Sequence, residues 1–204
     1  MNREEAEKAL GIIREVIQNT RVDLVAHNWG QIWMIHAFCN LAACLAGGYV
    51  EWRGGTLFWY MVPFGVNAVV NLVFVALLTR RDSGVRSYVE WQIHGIWVTF
   101  MLFTLAGAVM LQLSVPEQPW LFGPLLALTS GIGFSMMGVV FSRQFPYAVA
   151  FLIITLISPL LRQWPGTQWL LLGAVWWAAM FIPGLSMYRE LRLRMHDESS
   201  ARIL

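Results

Sequence analysis

The chain has 204 residues, 57% of them hydrophobic and only 13% charged, with a formal charge of +2. The length fits one domain, and the composition lies outside the range of ordinary soluble domains. The basic residues are almost all Arg and are spread over separate segments, which is no nucleic-acid signature, and Cys39 and Cys44 fall on different faces of one apolar segment, so no disulfide between them is expected.

Met1 to Glu7 carry three acids and no apolar run, so no cleavable signal peptide is expected and the first span is expected to serve as the insertion signal. From about Arg3 to Val25, the residues Ala6, Ala9, Leu10, Ile13, Val16, Ile17, Thr20 and Leu24 recur at helical spacing, and Glu4 precedes Lys8 by one turn. This predicts an amphipathic helix that lies on the membrane surface, folds back on the bundle, or contacts a partner or a second copy.

A transmembrane helix needs about 20 largely apolar residues. Six windows are read as spans: Trp29–Val50, Leu57–Thr79, Trp91–Leu113, Trp120–Phe141, Tyr147–Leu161 and Gln168–Met187. The fifth is short and flanked by prolines, so a tilt close to the membrane normal, local thinning of the bilayer, or failure to cross are all open for it. From Trp91 to Tyr188 the only charged residues are Glu117, Arg143 and Arg162, each beside a Pro, a Trp or a predicted loop. Open sheet is excluded in hydrocarbon, where unpaired backbone groups are costly, and the runs lack the alternation of a barrel.

Alternate assignment of the segment ends collects twelve of the fourteen Lys and Arg on one side and leaves Arg53 and Arg162 on the other. The positive-inside rule then puts both ends of the chain in the cytoplasm, which needs an even number of crossings. Trp29, Trp52, Trp59, Trp91, Trp120, Trp164 and Trp169 sit near predicted span ends, the depth that an amphipathic ring prefers. The organisation read from sequence is therefore all-α: an amphipathic helix in 1–28, a bundle of six transmembrane helices in 29–188, and a cytoplasmic tail in 189–204 that continues the last helix briefly and then frays.

Polar residues inside the spans are the informative ones. No Asp, Glu, Lys or Arg falls at the centre of a span, which argues against a proton- or sodium-coupled transporter or a voltage sensor, though not against uniport or a channel. His36 and Asn40 on the first span, and Asn67 and Asn71 on the second, are pairs one turn apart. Counted from Trp29 and Thr79, His36 and Asn71 lie roughly 10 to 12 Å deep, and Asn40 and Asn67 about 16 to 18 Å deep. The first two helices are therefore predicted to face each other through His36 with Asn71 and Asn40 with Asn67, as structural glue. His94, about 5 Å inside the third span, allows one further reading, a haem b held by His36 and His94; otherwise neither a cofactor nor a metal is expected. A pocket among His36, Asn71, His94 and Ser135 is the reading that a small-molecule or lipid carrier or channel would need.

In the fourth span Ala127, Gly131 and Ser135 repeat at four-residue intervals, a pattern that lets two helices approach closely. The run from Ser130 through Gly131 to Gly138 resembles the nucleophile helix of rhomboid intramembrane proteases, and His36 with Asn40 resembles that family's His/Asn helix. Three departures follow: Leu128 stands where the family has a glycine, no histidine in the fifth or sixth span offers a base, and His36 and Ser130 start from opposite faces. A serine without a reachable base is not an activated nucleophile, so helix packing is the reading kept and no catalytic residue is assigned. Pro63, Pro124, Pro159 and Pro183, within or at the edges of four spans, can kink helices. Trp33, Trp97, Trp176 and Trp177 either fill space between helices or line a ligand or lipid groove.

As a whole the chain resembles a group of bacterial multi-span membrane proteins with a Glu-rich amphipathic helix, here Glu4 to Arg21, and a Ser-Gly-Ile-Gly-Phe fourth helix. The resemblance implies the architecture and a bacterial cytoplasmic membrane, and no activity. The expected role is non-enzymatic: an accessory or scaffolding subunit whose partners are the lipid bilayer and other membrane subunits or further copies of itself. A small-molecule or lipid transporter or channel and a haem-binding electron carrier are the alternatives.

Overall fold

The computed structural model describes residues 11, 29–79, 88–140 and 144–201. Apart from Gly11, the amphipathic helix expected in 1–28 lies outside the described residues. These residues form six α-helices and one 3-10 turn: α1 Trp29–Trp52, α2 Leu57–Thr79, α3 Tyr88–Ser114, the turn Pro119–Leu121, α4 Phe122–Val140, α5 Phe145–Leu161 and α6 Thr167–Ala201. The protein is an all-helical bundle, and among the described residues five helices are long and apolar enough to cross a membrane.

The exception, α5, has 17 residues and so a length of about 26 Å. Its path is settled by its neighbours. Trp120, just ahead of α4, and Gln168, in the first turn of α6, meet at one end of the bundle, where Gln168 Nε2 donates to the Trp120 carbonyl at 3.4 Å. A helix that joins the far end of α4 to the start of α6 must traverse the bundle, so α5 runs its whole depth. At the other end Gly30 approaches Gly184 and Tyr188, which puts Trp29 and Tyr188 at the same end. These are called below the Trp52 end and the Trp29 end.

The last helix departs from expectation. Instead of fraying soon after Arg189, α6 continues to Ala201. From Arg189 to Met195 the chain is built from Arg, Leu, Glu and Met, good helix formers, and no Gly or Pro follows before Ala201.

Packing order is α2 on α1, α1 on α6, α6 on α5, α5 on α4 and α4 on α3, with the turn at Pro119–Leu121 touching α2, α3 and α4. The helices at the two ends of this series are the peripheral ones. Beyond Leu57 and Tyr60, α2 has no fully buried residue among those described, and Val62, Val66, Val69, Leu72 and Val73 are exposed. In water such a surface would be a liability, whereas hydrocarbon solvates it.

The middle of the bundle is filled with aromatic rings. Trp97 and Phe100 of α3, Phe134 of α4, Phe151 of α5 and Trp176 of α6 form a closed circuit, with centroids 5.5 Å apart for Trp97 and Phe134, 5.1 Å for Phe134 and Phe151, and 6.1 Å for Phe151 and Trp176. Phe100 closes it, 5.7 Å from Trp176 and 5.6 Å from Trp97. Mostly edge-to-face, these contacts suit the ring quadrupoles. Tyr60, Phe64, Phe122 and Trp169 make a second cluster toward the Trp52 end. Of the indoles weighed from sequence, Trp33 and Trp176 are buried, and Trp177 stacks on Phe181 at 4.6 Å beside Phe38. They fill space between helices.

Candidate functional site

Asn40, Asn67 and Asn71 form a hydrogen-bonded ladder between α1 and α2. Asn67 Nδ2 donates to Asn40 Oδ1 at 2.6 Å, Asn71 Nδ2 donates to Asn67 Oδ1 at 2.9 Å, and Asn40 Nδ2 reaches Met180 Sδ on α6 at 3.6 Å. Asn40 is 6% exposed; Asn67 and Asn71 are half-buried. The pairing expected for Asn40 and Asn67 is present. The pairing expected for His36 and Asn71 is not: Asn71 turns to its own helix, and His36 Nε2 is buried without a partner. The cause is the direction of side chains on a helix. They tilt toward the preceding turn, which leans Asn71 onto Asn67, whose Oδ1 is free because its NH2 group is used on Asn40.

His94 and Ser135 do not join this ladder. The His94 ring meets Trp29 edge-on at 5.5 Å, seven residues from His36 on α1, or about 10 Å along the axis. The two histidines considered as haem ligands thus stand at different levels. Ser135 is half-buried on α4, a helix that packs chiefly on α5 and α3. Ala127 and Gly131, its companions in the small-residue repeat, do serve packing: Ala127 is fully buried, and a Cβ at Gly131 would lie 3.4 Å from the Ala148 carbonyl oxygen of α5. Ser130 is buried and donates to the Leu126 carbonyl one turn earlier, a bond within its own helix.

Two features escaped the sequence reading. At the Trp52 end, Glu51 accepts the Gly166 backbone N–H at 2.8 Å and Gln168 Nε2 at 3.1 Å. Gln168 Nε2 also reaches the Trp120 carbonyl, so one carboxylate gathers the turns before α4 and α6 around the end of α1. Local geometry makes this possible. Gly54, at φ +69°, ends α1 in a Schellman arrangement, with Gly54 N–H on the Glu51 carbonyl and Gly55 N–H on the Val50 carbonyl. Gly166, at φ +86°, is the residue before α6, and its carbonyl accepts the first helical bond, from Leu170. A carboxylate there satisfies an orphan N–H and faces the positive end of the α6 dipole. Gly123 supplies the seat for Gln168, since a Cβ on it would lie 2.9 Å from the amide carbon. The signal was available: an acid in the last turn of a helix faces that helix's negative end and needs compensation from elsewhere.

The second is the seam between α1 and α6, the most extensive helix pair. A Cβ on Gly30 would stand 2.7 Å from the Gly184 carbonyl oxygen, one on Gly173 2.9 Å from Cys44 Cβ, and one on Gly47 3.0 Å from the Trp169 ring. Gly30, Ala37 and Cys44 recur every seven residues, the spacing of one helix face.

Among the described residues no three His, Cys, Asp or Glu side chains gather as a metal site would require. The chemistry on offer is that of amides, an imidazole and one carboxylate engaged in hydrogen bonding. Comparison of the chain with models of protein families, with curated proteins and with solved structures gives no match.

Proposed function

We propose that the protein is a non-enzymatic scaffold or accessory subunit of a larger assembly in the bacterial cytoplasmic membrane, with both ends of the chain in the cytoplasm. The observation that carries this reading is the closed aromatic circuit through α3, α4, α5 and α6. A bundle filled at its middle is built to present faces to its surroundings rather than to pass a solute, and α2 and α3 offer long apolar faces. Twelve of fourteen basic residues on one side support the orientation.

Affinity purification from native membranes in mild detergent is expected to recover the protein with other membrane subunits or in multiple copies. A lone monomer that moves a solute in liposomes would defeat the proposal. Reporter fusions at the two termini should both report the cytoplasm.

A further inference from the structure

Helix α5 ends at the Trp52 end of the bundle, and a charged residue follows it. With 17 residues the helix is about 26 Å long, shorter than the roughly 30 Å of hydrocarbon it crosses, so its last residues lie at the hydrocarbon boundary rather than beyond it. Arg162, which caps α5, is therefore held at the level of the lipid headgroups, where the exposed rings of Trp52, Trp59 and Trp164 also stand.

The Arg162 side chain has a seat and no counter-charge. Its guanidinium carbon lies 5.3 Å from the centroid of the Trp120 ring, and Trp120 is itself fixed, because its carbonyl accepts from Gln168 Nε2 of α6. Attraction between a cation and an aromatic ring consumes none of the guanidinium's N–H donors. Among the described residues Arg162 has no hydrogen bond and no ion pair. The Glu51 carboxylate is engaged by the Gly166 N–H and the Gln168 amide instead. Beside the guanidinium lies an open cavity of about 450 Å³, lined by Pro159, Leu160, Arg162 and Gln163. Its wall is divided: Pro159 and Leu160, in the last turn of α5, are exposed and apolar, whereas Arg162 and Gln163 bring hydrogen-bond donors.

We propose that this cavity binds a phosphate ester, with Arg162 as its principal donor and Gln163 as the second. A guanidinium matches the free oxygens of a phosphate with parallel N–H bonds, and the Gln163 amide adds an uncharged donor. Pro159 and Leu160 give the apolar remainder of the ligand a surface on the hydrocarbon side. An ammonium group would be repelled by Arg162, and a neutral glyceride has no charge to offer it. The phosphate ester can belong to a membrane phospholipid or to a soluble compound, and the apolar half of the wall favours the phospholipid. The site requires only a bilayer, in either orientation of the chain.

The test uses the full chain, delipidated in dodecyl maltoside, with one equivalent of phosphatidylglycerol as the probe, dioleoylglycerol as the phosphate-free control and inorganic phosphate as the soluble probe. Arg53, exposed at the same end and outside the cavity, serves as the control position. If the ester is a lipid's, native mass spectrometry shows phosphatidylglycerol bound and dioleoylglycerol not. Arg162→Ala then weakens binding about tenfold or more, and Arg53→Ala leaves it unchanged. If the ester is a soluble one, millimolar phosphate alone shifts the Arg162 guanidinium resonances and phosphatidylglycerol does not bind. Either result supports the site. Equal weakening by Arg162→Ala and Arg53→Ala overturns it, as does equal binding of the two lipids or no response to either phosphate probe. Should Arg162→Ala fail to fold, the unaltered chain decides: in frozen samples holding the phosphate probe that bound, phosphorus-31 dephasing of the Arg162 guanidinium nitrogens supports the site, and its absence overturns it.

Discussion

Helix α1 meets α6 and α2 by opposite means. Toward α6 it presents Gly30, Cys44 and Gly47 to Gly184, Gly173 and Trp169, so that the backbones approach closely along most of the span. Toward α2 it presents Asn40, and the contact is organised by amide hydrogen bonds. Lipid tails are as apolar as Leu, so a bilayer gives helices no hydrophobic reason to associate, and pairs are held by close packing or by interhelical hydrogen bonds. The first two turns of α1 and its last two face α6 through glycines, whereas the hold on α2 is concentrated near the middle of the span. A seam limited by backbone contact has no room for added atoms; a ladder of side chains has a small number of replaceable links.

The seam should break first and hardest. Gly30→Val forces atoms into the Gly184 carbonyl and the Tyr188 backbone nitrogen, 2.7 and 2.8 Å from the Cβ position, and overpacking of this kind costs roughly 1 to 3 kcal/mol, with the upper end expected against backbone. Denaturant unfolding in mixed micelles measures it, and an unchanged midpoint would show the seam to be loose. Glu51→Ala comes next. It strands the Gly166 N–H and leaves the Gln168 amide only its longer bond to the Trp120 carbonyl, for a loss of about 1 to 3 kcal/mol, and Glu51→Gln, which keeps one acceptor, should lose less. Its signature is local: amide exchange quickens at Gly166 at the Trp52 end and stays unchanged around Gly30.

The ladder ranks below. Interhelical hydrogen bonds within membranes contribute about 0.6 to 2 kcal/mol each. Asn67 takes part in the bond between α1 and α2 and in a second within α2, whereas Asn71 takes part in the second alone, so Asn67→Leu should lower the unfolding temperature more than Asn71→Leu. The reverse order would mean that Asn71 has a partner of greater weight than Asn67.

Much of this architecture was legible in the sequence because hydrocarbon imposes coarse, additive demands. Stretches such as Leu57–Thr79 had to be helical, and their ends showed in Trp and Arg. The Asn40–Asn67 contact was legible as well, since helical rise alone sets two antiparallel residues at one depth. Direction was harder. Depth counting pairs His36 with Asn71 but carries no information on the tilt of side chains toward the preceding turn, and that tilt decided the bond. Glu51 was hidden because its meaning depends on Gly166, 115 residues away. The small-residue repeat of Ala127, Gly131 and Ser135 was visible within a single window. That of α1 and α6 is divided between two helices at opposite ends of the chain, and each half on its own is unexceptional.

The peripheral face of α2 should give the smallest effect on stability and the most informative one on function. Beyond its own helix backbone and chain neighbours, no atom lies within 4 Å of the Cβ position of Gly65, so Gly65→Ala meets no clash and gains helix propensity, worth up to about 1 kcal/mol in an exposed helix interior. In the isolated protein the midpoint should therefore hold or rise slightly, and a fall would mean that α2 is more tightly enclosed than its exposure allows. Gly65→Leu separates lipid from protein as the cover of this face. Lipid tails rearrange around an isobutyl group, so a lipid-facing position tolerates it both in the pure protein and in native membranes. A partner packed on the glycine cannot yield in that way. Loss of co-purifying subunits by Gly65→Leu, with the unfolding midpoint of the isolated chain unchanged, would place the assembly surface on α2. Retention of every partner would move it to another face.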